Sequence, residues 1–324
     1  MKYPPFHITS AVLNLTTEIH EILGEMKNLT VTKPSVKLRK ENKIKTVHHS
    51  LAIEGNNLTE DQITDILENK RVLGPEVQIQ EVKNALAVYD KLHDYEPLKE
   101  IHLLKAHRLL MQGLVKKSGQ YRASQVGILK GTQVSHIAPP AKQVPNLMIQ
   151  LFKFLKDKNT SWLIKACVFH YELEFIHPFN DGNGRMGRLW QQLILMKQSQ
   201  VFEYISTESL IHNQQKEYYS ALEKSDKAGD STPFVEFSLQ IILDSLKNFK
   251  NNHGFAKPTI SDRIQFAIDH FKDQTFSRKE YMTLFPQLST ATASRDLASG
   301  VKQKVLTKDG DKTLTTYQKK AWSD

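Results

Sequence analysis

"HPFNDGNGRMGR", residues 177–188, decides how the rest of this chain is read. It holds a histidine, an acid, three glycines and two arginines, and has little to bury. A core helix would fill those positions with Leu, Ile and Val. Pro178 disfavours the α conformation at His177, so the apolar segment before it, "SWLIKACVFHYELEFIH", is expected to be a helix ending there. Gly182, Asn183 and Gly184 form a turn into a second helix, "GRMGRLWQQLILMKQ". The stretch is therefore a loop between two helices.

The chemistry of such a loop follows from its parts. The first turn of a helix has unpaired N–H groups and a partial positive charge, so it attracts anions. The glycines let a ligand approach the backbone. Arg185 and Arg188, three apart, share one face of the second helix. Two guanidinium groups beside a nest of N–H groups describe a polyphosphate site. Asp181 would repel phosphates unless a cation lies between, and Mg²⁺ takes one or two carboxylates together with phosphate oxygens. His177 stands at the mouth, where a neutral imidazole accepts a proton from an attacking hydroxyl. Anion cradle, metal, cationic clamp and base are the parts of phosphoryl-type transfer. Each residue alone has a blander reading as cap, turn or solvated charge; their combination at these spacings favours the site.

Composition sets the frame. A chain of 324 residues predicts one large or two to three smaller domains, and 40% hydrophobic with 24% charged residues describes a soluble protein with a real core. No run of about 18 apolar residues is present, so no membrane span is expected. The first residues, "MKYPPFHITS", lack the apolar stretch of a signal peptide, and a cytoplasmic location is the expectation. The single cysteine, Cys167, excludes an intramolecular disulfide and reads as core. A net charge of +9 suits an acidic ligand or nucleic acid without choosing between them.

The pattern along the chain is mainly helical, which sets the fold class as mainly α. "SVKLRKENKIKTVHHSLAIEG" reads as a helix ended by Gly55, and Thr59 with Gln62 has capping-box spacing for the next one. "GQYRASQVGILKGTQVSHIAPP" breaks the pattern and predicts a β-hairpin turning at Gly131. "NNHGFAKP" reads as a linker, followed by three short helices and a hairpin turning at Asp309-Gly310. That order predicts a C-terminal winged helix-turn-helix. The expected division is an N-terminal helical region over 1–95, a core over 96–250, a linker over 251–259 and the winged helix over 260–324.

Residues 177–188 match the Fic-domain pattern H-P-F-x-[DE]-G-N-G-R-x-x-R at every defined position, and the chain resembles that family over roughly residues 1–250. The resemblance implies a Fic-type helical bundle with a β-hairpin flap and a protein adenylyltransferase. Such an enzyme moves AMP from ATP to a Tyr, Thr or Ser hydroxyl of a target protein. It implies His177 as general base and Asp181 as Mg²⁺ ligand. Gly182, Asn183 and Gly184 would be the anion nest, with Arg185 and Arg188 on the β and γ phosphates and Phe179 as a buried anchor. The hairpin between Val126 and Ile137 falls where the family has its flap, which docks the target as an added strand. "SLAIEGN", residues 50–56, is similar to the family's inhibitory motif, [ST]-x-x-x-E-[GN]. Ser50 and Glu54 would share one helix face before Gly55, and Glu54 would pair with Arg188 and block the γ-phosphate. Gly184 stands where a phosphate-transferring branch has Lys, which argues for AMP transfer.

Two functions fit these residues. The first is a Mg²⁺- and ATP-dependent protein adenylyltransferase, self-inhibited by Glu54, with the chain itself among its candidate targets and with AMP removal at the same site as a variant. The second is a DNA-binding regulator whose Fic site senses a nucleotide. Residues 260–320 hold 11 Lys and Arg against 7 Asp and Glu, a smaller excess than DNA binders usually concentrate on one face. DNA binding through that segment, docking of a protein there, and a homodimer all stay open.

Overall fold

The computed structural model describes residues 4–26, 36–130, 133–253, 259–286, 288–311 and 315–320. Two compact units are present. One comprises residues 1–23 and 35–252, the other 24–34 and 253–324.

The larger unit is built on two central helices, α7 (Trp162–Ile176) and α8 (Asn183–Gln198). Apolar residues surround α7 rather than lining one stripe, with Leu163, Cys167, Val168, Phe169, Leu173 and Ile176 all buried, as befits a helix inside a bundle. Its buried polar groups are satisfied. The His170 ring bonds Gln191 Oε1 at 2.6 Å and the Tyr218 hydroxyl at 3.1 Å, and Gln191 Nε2 donates to Ser238 Oγ. Burial pushes His170 down to about 3, so the ring is neutral near pH 7. Around this pair stand residues 10–23 of α1 (Ser10–Met26), α2 (Val36–Ala52), α3 (Glu60–Leu67), α4 (Glu76–Asp90), α5 (Glu100–Leu110), α6 (Val144–Leu155), α9 (Thr207–Asn213), α10 (Gln215–Ala228) and residues 232–252 of α11 (Thr232–His253). The capping box expected at Thr59 and Gln62 is formed in full.

A hairpin interrupts the helices. Strand β1 (Gly127–Lys130) pairs antiparallel with β2 (Gln133–Ile137), with an irregularity between Ile128 and Leu129. The predicted turn at Gly131 lies outside the described residues. At the hairpin's base Arg122 is almost wholly buried. It donates to the carbonyls of Ser124, Pro139, Ile176 and His177, tying both hairpin stems to the end of α7.

The smaller unit contains α12 (Ile260–Phe271), β3 (Phe276–Ser277), α13 (Arg278–Leu284), α14 (Thr290–Lys302), β4 (Leu306–Asp309) and β5 (Thr316–Lys319). The sheet order is β3-β5-β4, antiparallel throughout. Its own core gathers Ile264, Phe276, Tyr281, Phe285, Leu297 and Leu306. Asp296 is fully buried, but Arg263 grips it with two bonds at 2.6 and 2.8 Å and the Tyr281 hydroxyl adds a third.

Two elements are additional to the sequence reading. Helix α9 has only seven residues and buries Thr207 and Glu208 beside Ile211, so it shows no apolar period. Strand β3 has two residues, and its partner lies about forty residues further on.

Candidate active site

The loop between α7 and α8 is held in one shape from several sides. Helix α7 ends at His177, which takes the left-handed conformation (φ 49°, ψ 59°) rather than the extended one that a following proline favours. Arg122 on its carbonyl and Pro178 O accepting from Arg122 N at 2.8 Å hold that geometry. Phe179 is fully buried and lies flat on His107, ring centroids 3.7 Å apart. Asn183 clasps Phe179 by both backbone groups, each bond 2.9 Å. Gly182 has φ +83°, where a side chain would be strained, and a Cβ there would also stand 2.7 Å from Met111 Sδ. Helix α8 starts at Asn183, so of the three residues expected in the turn only Gly182 precedes the helix, and Asn183 and Gly184 belong to its first turn.

His107 was not singled out by sequence. Its Nδ1 accepts from the Gly119 N–H at 2.8 Å, so Nε2 carries the proton and donates to the Asp181 carbonyl at 3.0 Å. Burial pulls it down to about 4, which keeps that proton arrangement neutral. Nothing in "KEIHLLKAHRLLM" distinguishes His107 from a helix-surface histidine; only the tertiary contact does.

The charged groups of the motif converge. His177 Nδ1 lies 3.3 Å from the Glu174 carbonyl, which places the ring's proton there and its lone pair on Nε2. The Asp181 carboxylate is more than half exposed; its Oδ1 accepts from Gly182 N at 2.6 Å and from Arg185 Nη2 at 3.2 Å. Arg185, nearly buried, also donates to Glu81 Oε1 at 2.9 Å. Arg188 is buried and is held by the segment at the end of α2. It bonds Ser50 Oγ at 3.2 Å, the Ser50 carbonyl at 3.0 Å and Glu54 Oε1 at 2.7 Å. The Glu54–Arg188 contact that the resemblance implies is present in a different setting, and Ser50 joins it. Helix α2 stops at Ala52, and Glu54 projects from the turn that Gly55 closes at φ +92°.

The arrangement is crowded around Gly184. A Cβ there would stand 2.5 Å from Glu54 Oε1, 3.0 Å from Glu174 Oε1 and 3.1 Å from Arg188 Nη1. Burial, then the Glu54 carboxylate, push Glu174 up to about 7. Burial works against the Arg188 charge, yet Glu54 and its other acidic neighbours leave its pKa above the ordinary arginine value. Two buried guanidinium nitrogens, Arg185 Nε and Arg188 Nη1, have no hydrogen-bond partner. Unsatisfied buried donors at a helix N-terminus fit an anion. A half-exposed carboxylate beside them fits a Mg²⁺ shared with phosphate oxygens.

Fold and loop together define a helical protein whose central buried helix begins beside two buried arginines, each with a guanidinium nitrogen that has no hydrogen-bond partner. A profile of the Fic/DOC family matches residues 97–195. A Fic family protein from Desulfovibrio desulfuricans is similar along the whole of both chains, with 38% identity and a TM-score of 0.75. The chain belongs to the Fic family. It is 27% identical to protein adenylyltransferase fic-1 of Caenorhabditis elegans over 72% of its length and 48% of that protein's. It is 30% identical to protein adenylyltransferase Fic of Nematostella vectensis over 63% of its length and 48% of that protein's. The chain therefore spans about half the length of the curated relatives it matches. Residues 134–508 of the nematode protein share its fold, with a TM-score of 0.62. Among the described residues no helix is long and apolar enough to cross a membrane.

Proposed function

We propose that the chain is a protein adenylyltransferase that transfers AMP from ATP to a side-chain hydroxyl, and that Glu54 restrains it. The observation that carries the reading is the start of α8, where Asp181 pairs with Arg185 and where Arg185 and Arg188 each keep a buried guanidinium nitrogen without a hydrogen-bond partner. The names of the relatives support the same activity.

In this reading the α8 N-terminus and Arg185 receive the inner phosphates of ATP, and Arg188 receives the γ-phosphate once Glu54 has withdrawn. His177 Nε2 takes the proton from the target hydroxyl. The oxygen bonds to the α-phosphorus, the bond from that phosphorus to the bridging oxygen breaks, and pyrophosphate leaves. Mg²⁺, when bound, neutralises charge on the phosphates, and Asp181 is the residue that would hold it. The hairpin 127–137 offers backbone for the target segment to pair with as an added strand. The test is incubation with ATP labelled on the α-phosphate, Mg²⁺ and a cell extract, read by mass spectrometry for an AMP adduct on the chain or on another protein. An adduct with wild type and a drop of about 10²–10⁴ in rate with His177→Ala is expected. Equal transfer by both would remove His177 as base; no adduct with the Glu54→Gly variant would remove the activity.

For residues 259–320 we propose a winged helix-turn-helix. Three helices with β3 joining the β4–β5 hairpin support it. Helix α14 leaves Thr290 and Arg295 exposed, which suits contact with DNA phosphates or bases. A mobility shift that needs this unit and weakens steeply with salt is expected; no shift at low salt leaves protein docking as its role.

A further inference from the structure

Away from the loop, three metal-ligating side chains meet where α2 approaches α3. His48 and His49 lie near the end of α2, and Glu60 opens α3. All three are partly buried, and one ligand atom from each lies within 4.8 Å of the other two. His48 Nδ1 stands 3.5 Å from Glu60 Oε1. That nitrogen is buried and makes no hydrogen bond. Two atoms bound to one tetrahedral ion at about 2.0–2.1 Å sit roughly 3.4 Å apart, so His48 and Glu60 already stand at ligand spacing. A carboxylate hydrogen bond would have satisfied the ring, and it is not made.

The supporting contacts also suit a metal. His49 Nδ1 lies 2.8 Å from the Lys45 carbonyl, so it carries the ring's proton and leaves the lone pair on Nε2. A ring pinned by a backbone carbonyl is the usual outer support of a histidine ligand. Ser209 Oγ approaches the same Nδ1 at 3.1 Å from α9. A third imidazole, His212, packs on His49 with ring centroids 5.3 Å apart, and its Nδ1 is likewise buried without a hydrogen bond. An orphaned ring nitrogen in a buried place costs stability unless something occupies its lone pair.

We propose that His48, His49 and Glu60 form a binding site for a first-row divalent cation of the Zn²⁺ type, with solvent completing the coordination. Two imidazoles and a carboxylate select Zn²⁺, Co²⁺ or Ni²⁺ over Mg²⁺ and Ca²⁺, which prefer oxygen alone. The site is chemically distinct from the carboxylate Asp181. Its ligands flank the turn that carries Glu54, so an ion there ties the two ends of that turn together. That consequence rests on the reading of Glu54 given above; the binding itself does not.

The test uses the full chain after removal of metals with a chelator. Co²⁺ is titrated by visible absorption and displaced with Zn²⁺, and thermal melts are recorded with and without Zn²⁺. One equivalent is expected to bind in wild type, with a raised melting midpoint. At least tenfold weaker binding and loss of the midpoint shift are expected in His49→Ala and in Glu60→Gln. Circular dichroism establishes that each variant is folded, and Glu60→Gln keeps the side chain's shape if His49→Ala does not fold. Asp181→Asn is expected to bind as wild type does. The proposal is overturned by absence of stoichiometric binding, by unchanged binding in folded His49→Ala and Glu60→Gln, or by binding lost only in Asp181→Asn. None of these outcomes requires AMP transfer to be observed.

Discussion

At the scale of single residues, Arg188 serves two masters. Its guanidinium holds Glu54 and Ser50, and in the proposed reaction it must hold a phosphate instead. A closed state favoured by about 2.7 kcal/mol leaves near 1% open, since each 1.4 kcal/mol is tenfold. Glu54→Gly is therefore expected to raise AMP transfer, by up to the order of 100-fold where chemistry limits. Arg188→Ala breaks the same pair and should stay inactive. Equal or lower transfer by Glu54→Gly, with ATP binding intact, would refute the restraint. Glu174 gives a second prediction. Its carboxyl is raised from 4.5 to about 7 by burial and by Glu54, so the native state keeps a proton that the unfolded chain has already lost. Stability from this group is present below about pH 4.5 and lost as pH rises through about 7. Glu174→Gln should thus gain on wild type as pH rises from 5 to 8, by on the order of 1–3 kcal/mol, read from urea midpoints. A difference that does not change with pH would mean Glu174 ionises alike in both states. Glu172, also raised to about 7, first by burial, keeps its own slope in both proteins. The motif residues were legible in sequence because each differs from what a buried helix would hold. Glu174, His107 and Arg122 were not, because an ionisable residue in a helical or loop pattern reads as surface until its neighbours are known.

At the scale of elements, the loop depends on one amide. Asn183 bonds the N–H and the carbonyl of Phe179 and is itself buried, so Asn183→Ala leaves two backbone groups unsatisfied. A loss of about 2–4 kcal/mol in stability is expected, with AMP transfer falling further than stability does, because His177 and Asp181 ride on that loop. Denaturant melts and transfer assays on one preparation check it; full activity would show that the stack of Phe179 on His107 suffices. The helix pattern was readable where a period or a cap was strong, as at Thr59 with Gln62. It failed where helices are short and polar, as in α9, or where a strand exists only through a distant partner, as in β3. The turn that carries Glu54 shows the same limit. Spacing put Ser50 and Glu54 on one helix face, whereas the helix ends at Ala52 and the turn closed by Gly55 delivers the carboxylate.

At the scale of the whole molecule, each unit has its own buried core. Removing residues 258–324 is expected to leave a folded protein that still transfers AMP, judged by circular dichroism and the labelled-ATP assay. A folded but inert fragment would make the smaller unit part of the catalytic machinery. The pairing of Glu54 with Arg188 spans 134 positions, and its acidic member comes first in the chain. Polypeptides emerge at about 5–20 residues per second, so the acidic partner precedes the arginine by about 7 to 27 s during synthesis. If Glu54 restrains the site as proposed, the restraining carboxylate is already made when Arg188 appears, and no newly synthesised molecule passes through a stage with the arginine and no carboxylate yet made to hold it.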